Sequence, residues 1–177
     1  RFQAACLASF GQGWQSFGVR SALVPLLVVG ALHADASWTG LAFAIAAVAQ
    51  TAALPAAGRA TDLIGRRPVM ILGGATAALA TLALPFAHDL IWLIALLCVY
   101  GIGAAALGTA PTAALGDAAR GAGSQPIAIH SMSSDVGAIL GPLAAGLLAD
   151  SLGMTAAFAS GAVILLAGAI LSWFMPA

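Results

Sequence analysis

The sequence predicts an all-α, polytopic membrane protein built from six transmembrane helices. Three observations predict it. Of the 177 residues, 62% are hydrophobic and only 7% charged, with a mean hydropathy of +1.04, whereas a soluble domain carries about 25% charged residues. Six apolar runs each approach the roughly 20 residues that a spanning helix needs. The arginines then sort to one side of the membrane that six alternating helices would define.

The first run, 3–32, is mainly apolar but holds Gln12, Gln15, Ser16 and Arg20. A short polar connection at 33–37 separates it from the second run, 38–57. The basic stretch 58–68 leads to the third run, 69–86. Ala87-His88-Asp89 joins this to the fourth, 90–115, and 116–126 leads to the fifth, 127–149. Residues 150–154 precede the sixth run, 155–175. The chain opens at Arg1 directly on an apolar run, and is expected to be trimmed at both ends. Lys and Glu are absent, so the usual makers of a solvated helix face are missing. Zero formal net charge gives no reason to expect a nucleic-acid partner. Cys6 and Cys98 lie far apart in apolar runs and read as small buried residues. His33 and His88 show no metal-ligand spacing, and neither metal nor cofactor is expected.

Arg59, Arg66 and Arg67 fall in the connection after helix 2, Arg120 in that after helix 4, and Arg1 at the amino end. Alternation puts all of these on one face. The opposite connections contain Asp35, Asp89 and Asp150 and no Arg. By the positive-inside rule the arginine face is cytoplasmic, and both termini with it. An internal repeat accompanies this pattern. Gly58-x3-Asp62-x2-Gly65 returns 88 residues later as Gly146-x3-Asp150-x2-Gly153. The copies follow helices 2 and 5, so three helices separate them and they face opposite sides. An inverted three-plus-three repeat follows, with units of about 1–89 and 90–177 in one bundle of residues 1–177. The outer copy has lost the arginines, as the orientation rule demands.

The stretch Gly58 to Pro68 is expected to be a tight loop. Gly58 and Gly65 allow sharp turning and close approach, Asp62 can accept backbone N–H bonds at a helix start or pair with an Arg, and Arg66 and Arg67 can reach carbonyls or lipid phosphates. Gly58-x-Ala60-x-Asp62-x2-Gly65-Arg66-Arg67 resembles the motif that follows the second helix of each half in the major facilitator superfamily. Helix 5 carries Gly137-x3-Gly141-Pro142-x3-Gly146, which is similar to that family's Gly-x3-Gly-Pro packing motif, and Asp117-x-Ala119-Arg120-Gly121 is also typical. The resemblance covers all six helices. It implies one six-helix half of a 12-helix transporter, with the other half as partner, and a latch role for Gly58, Asp62, Gly65, Arg66 and Arg67. Amino-terminal halves commonly carry an Arg four residues before a helix 4 Gly. Here Leu97 precedes Gly101, which favours the carboxy-terminal half.

Two ionisable side chains fall inside spans. Arg20 is near the middle of helix 1, and Asp135 is about two turns into helix 5. Each costs roughly 2.5–3.5 kcal/mol on insertion scales unless it finds a partner or water. In the family fold helices 1 and 5 of a half lie close together, so an Arg20–Asp135 pair is expected, as a structural ion pair or as a proton or substrate relay. Gln12, Gln15 and Ser16 share one face by i, i+3, i+4 spacing. The resemblance places helices 1 and 4 on the central cavity, which makes Gln12, Gln15, Trp14 and Tyr100 candidates for contact with substrate. Thr109 and Thr112 read as helix–helix hydrogen bonding, with a kink at Pro111.

No catalytic motif is present, and the chain is not expected to be an enzyme. The expected function is secondary active transport of a small amphipathic or neutral solute by alternating access, with protons as coupling ion, efflux as direction and the plasma membrane as location. These last three are implied by the resemblance alone. The alternative is a non-transporting scaffold or receptor that reuses the fold.

Overall fold

The computed structural model describes the backbone of residues 2–118 and 125–173, and the side chains of 6–110 and 125–173. Arg1 and the 119–124 connection with Arg120 lie outside the described residues, as do the side chains of Pro111, Thr112 and Asp117. Among the described residues, six helices are long and apolar enough to cross a membrane. The first, α1, is composite: α-helical Phe2–Gly13, π-helical Trp14–Val19, α-helical Arg20–Leu26 around Pro25, and π-helical Leu27–Ala31. The others are α2 (Ser37–Leu63), α3 (Arg66–Ala83, extended by a 3-10 turn Leu84–Phe86), α4 (Leu90–Ala118), α5 (Gln125–Leu152) and α6 (Met154–Trp173). Every expected span is present. The protein is an all-helical, multi-pass integral membrane protein.

Two connections, 58–68 and 150–154, are shorter than the sequence implies, because a helix satisfies its own backbone hydrogen bonds wherever lipid or its boundary surrounds it. The basic stretch 58–68 is not a loop. α2 continues through Leu63 and α3 begins at Arg66, with the reversal made at Ile64 and Gly65. Gly65 has φ 97° and ψ 163°, a conformation open essentially to glycine. Gly153 makes the equivalent reversal between α5 and α6 at φ 89°. Asp89 caps α4, its Oδ1 accepting the Trp92 N–H at 2.7 Å.

Small residues bring the helices together, as is usual where lipid offers no hydrophobic drive to association. α2 packs mainly on α4, α4 on α3, α3 on α6, and α5 on α1, while α1 also touches α4 and α6. Close approaches set the directions. Gly13 lies against the Ser134 carbonyl and Gly18 against Gly141, so α1 and α5 run parallel. Gly168 approaches Ala8 while Gly161 approaches Gln15 and Val19, so α1 and α6 run antiparallel. Gly73 approaches Gly103 and Leu107, while Gly103 approaches Ala77, which makes α3 and α4 antiparallel too.

These contacts are consistent with the expected repeat. Moving three helices on turns the α1–α5 packing into α4–α2, and leaves α1–α4 and α3–α6 mapped onto themselves. The equivalence holds at single residues. Gly13 against the Ser134 carbonyl corresponds, 88 residues on or back, to Gly101 against the Ala46 carbonyl. Gly161 against Gln15 corresponds in the same way to Gly73 against Gly103. Windows of α2 and α5 are only 11% and 17% buried, against 39–50% for the other spans, so these two related helices are the peripheral ones.

Candidate substrate site

Arg20 lies near the midpoint of the span Cys6–Ala31, just after the π-helical stretch of α1. Such widened turns are rare and are often found at functional positions. Its Cζ is 4.8 Å from the centre of the Tyr100 ring on α4 and 5.4 Å from that of Phe43 on α2. Three helices therefore converge on one guanidinium. The negative ring faces offset part of the cost of a membrane-embedded cation, by up to about 2 kcal/mol each when water is excluded. Tyr100 is fully buried, and its hydroxyl shares a 2.7 Å hydrogen bond with Ser16 Oγ. Nε of Arg20 is buried with no hydrogen-bond partner among the described residues.

The expected Arg20–Asp135 pair does not form. The parallel register of α1 and α5 puts Ser134 beside Gly13. Asp135 is therefore level with the turn around Gly13, about 10 Å along the axis from Arg20 at 1.5 Å per residue. Its side chain is also exposed. Helix proximity was correctly expected; the axial register was not legible from spacing.

The polar residues of α1 divide between two environments. Gln15 is completely buried. Its Nε2 donates to Thr81 Oγ1 on α3 at 3.0 Å, and Thr81 donates to the Ala77 carbonyl at 2.8 Å. The Gln15 Oε1 has no hydrogen-bond partner and sits against Gly161 of α6. Gln15 thus joins α1 to α3 and α6 inside the bundle and does not share a face with Gln12 and Ser16. Gln12 is half-buried, its Nε2 3.8 Å from where a Gly108 side chain would begin, and Ser16 meets Tyr100, so both face α4. Widening of the helix from Trp14 onward helps turn the shared face apart. Trp14 is half-buried, 5.8 Å from the Phe10 ring, with its Nε1 buried and unbonded. Phe43 and Thr81 were not foreseen. A Phe or Thr in an apolar run carries no signal until its neighbours are known.

The expected latch residues are spread over a helix–turn–helix. Asp62 is exposed in the last turn of α2, and not at a helix start. Arg66 and Arg67 open α3, where positive charge opposes the helix dipole. Arg67 Cζ stacks 5.1 Å from the Trp173 ring at the end of α6. Gly58 has open space around it, so no close approach requires a glycine there. In the α5 motif, Gly137 packs on Phe10 and Trp14, and Gly141 on Gly18 and Trp14. Pro142 lies within the helix, and Gly146 faces open space. No group of three or more His, Cys or Asp side chains is placed to hold a metal among the described residues.

A comparison with curated protein sequences found no match. Among solved structures, the fold is similar to one described as the crystal structure of tetrameric PepTSo2 in space group P4212. The TM-score is 0.77 at 16% identity, covering 97% of this chain. This chain spans 38% of the length of that one. The model of the Major Facilitator Superfamily matches residues 5–177, and the chain, with its six apolar spans, belongs to that superfamily.

Proposed function

We propose that this six-helix bundle is one half of a secondary active transporter that moves a small solute by alternating access. The observation that carries the proposal is the Arg20 cluster: a charge held at mid-membrane by α1, α2 and α4, in a bundle of this superfamily. That charge costs several kcal/mol to insert, only part of which the ring faces offset, and a role in binding solute accounts for keeping it. Gln12, beside Gly108 on the same side of α1 as Ser16, is the amide best placed to accompany it. The peripheral α2 and α5 are the faces on which the other half would rock, and the exposed Asp62 at the end of α2 is available to bond across that boundary.

Orientation follows from the arginine bias, with both termini cytoplasmic in the plasma membrane. Proton-driven efflux is the coupling we put forward, with the exposed Asp135 as the candidate relay residue and no longer as the partner of Arg20. The family offers no enzymatic role. The test is solute flux in proteoliposomes containing the complete transporter, with and without an imposed pH gradient. Gradient-driven flux that collapses in Asp135→Asn supports the coupling. Gradient-independent flux that survives this substitution removes the proton role. Absence of flux across a broad solute panel removes the transporter reading.

A further inference from the structure

The buried Nε of the Arg20 guanidinium finds no acceptor among the described residues. Arginine stays protonated in proteins, and its five N–H groups all donate. Phe43 and Tyr100 offer ring faces, which attract the cation but give no oxygen in its plane. The chain's own carboxylates cannot reach it. Asp135 is about 10 Å away along the axis and exposed. Asp117 lies 17 residues beyond Tyr100 on α4, about 25 Å along the helix. Asp35, Asp62, Asp89 and Asp150 lie at or near the ends of the spans. The Ser16–Tyr100 hydroxyl pair uses one of its two protons internally, which leaves the second for another oxygen.

We propose that Arg20 anchors the anionic group of the transported solute, and that the solute is an amphipathic organic monoanion, a carboxylate in the simplest case. This rests on the transporter reading and deepens it. A carboxylate matches the fork of guanidinium N–H donors, and pairing with it neutralises a single positive charge. A phosphate dianion would leave a net charge in a poorly solvated place. The surroundings are apolar, with Phe43 packed against a core that includes Val24 and Leu97, so the remainder of the solute is hydrophobic. An anionic lipid headgroup is excluded as the source by depth. Headgroups lie about 15 Å from the midplane, and Arg20 is near the middle of its span.

The test uses the complete transporter in detergent, with matched probes: benzoate and benzamide, phenylacetate and phenylacetamide, octanoate and octanamide, and inorganic phosphate. Melting temperature and quenching of tryptophan fluorescence report binding. Carboxylates are expected to bind roughly tenfold or more tightly than their amides, and phosphate to be ineffective. Arg20→Gln should erase the difference between acid and amide. Arg20→Lys, which keeps the charge and loses the fork, should weaken carboxylates while leaving amides unchanged. Equal binding of acids and amides across the panel overturns the proposal; it is the result expected if an acidic side chain elsewhere in the transporter neutralises Arg20. A preference that survives Arg20→Gln overturns it as well. If Arg20→Gln does not elute as a single folded species, Arg20→Lys decides, and unchanged carboxylate affinity there refutes the anchor. Solute counterflow in proteoliposomes keeps the two readings apart. Flux without acid preference sinks only the Arg20 assignment, whereas selective binding without flux of any probe sinks only the transporter reading.

Discussion

The α1–α5 seam makes a quantitative prediction from two glycines of one motif. A methyl group on Gly141 would lie 2.7 Å from Gly18 Cα and 2.7 Å from the Trp14 carbonyl oxygen. Carbon atoms prefer about 3.5–4.0 Å, so the shortfall is about 1 Å, and both obstacles are backbone. No side chain can swing aside, and the two helices must separate. Overpacking of this kind costs about 1–3 kcal/mol, and the upper part of that range is expected because the parallel seam also holds Gly13 against the Ser134 carbonyl. Gly146, five residues on, has nothing within 4 Å of a built side chain. Gly146→Ala should therefore stabilise by up to about 1 kcal/mol through helix propensity alone. Thermal unfolding of the purified protein in detergent reads both. At about 2–4 °C per kcal/mol for a chain of this size, Gly141→Ala should lower the midpoint by several degrees and Gly146→Ala should leave it level or raise it. Equal shifts for the two, or a neutral Gly141→Ala, would falsify the packing argument.

Two further substitutions probe the polar contact and the turns. Gly161→Ala pushes a methyl into Gln15 Oε1 and should destabilise; Gln15→Ala in the same chain should relieve part of that loss, with a coupling of about 1–2 kcal/mol in a double-mutant cycle. Strict additivity would mean that the two residues do not press on each other. Gly65→Ala and Gly153→Ala force a side chain to φ 97° and 89° and should each cost about 1–3 kcal/mol, seen as lower melting temperatures of similar size. A large effect at one and none at the other would argue against their equivalence in the repeat.

Much of the architecture was legible beforehand. Hydropathy located all six spans because a lipid-embedded helix must carry its own apolar surface. The match of Gly58–Gly65 to Gly146–Gly153 pointed to turns that the backbone makes at Gly65 and Gly153. The length of the basic connection was misread because charged residues look like loop, although Arg59 and Asp62 ride on the last turns of α2. The site was only partly legible. Arg20 stood out because a charge in a span is conspicuous, and Tyr100 was foreseen through the expected helix 1–helix 4 neighbourhood. Phe43 was hidden among other apolar residues, and Gln15 was assigned to the cavity because helical spacing alone could not show how α1 widens.

The sequence by itself determined that this chain is a six-span membrane protein. That property depends on each segment's free energy in lipid, which composition largely sets. The tertiary structure decided who meets whom. Axial register between parallel helices separates Arg20 from Asp135, and rotation about the α1 axis buries Gln15 against Thr81 while bringing Ser16 to Tyr100. Register and rotation are set by which backbones can approach at Gly13, Gly18, Gly137 and Gly141, and glycines with the same local sequence context give no sign of which will be in contact.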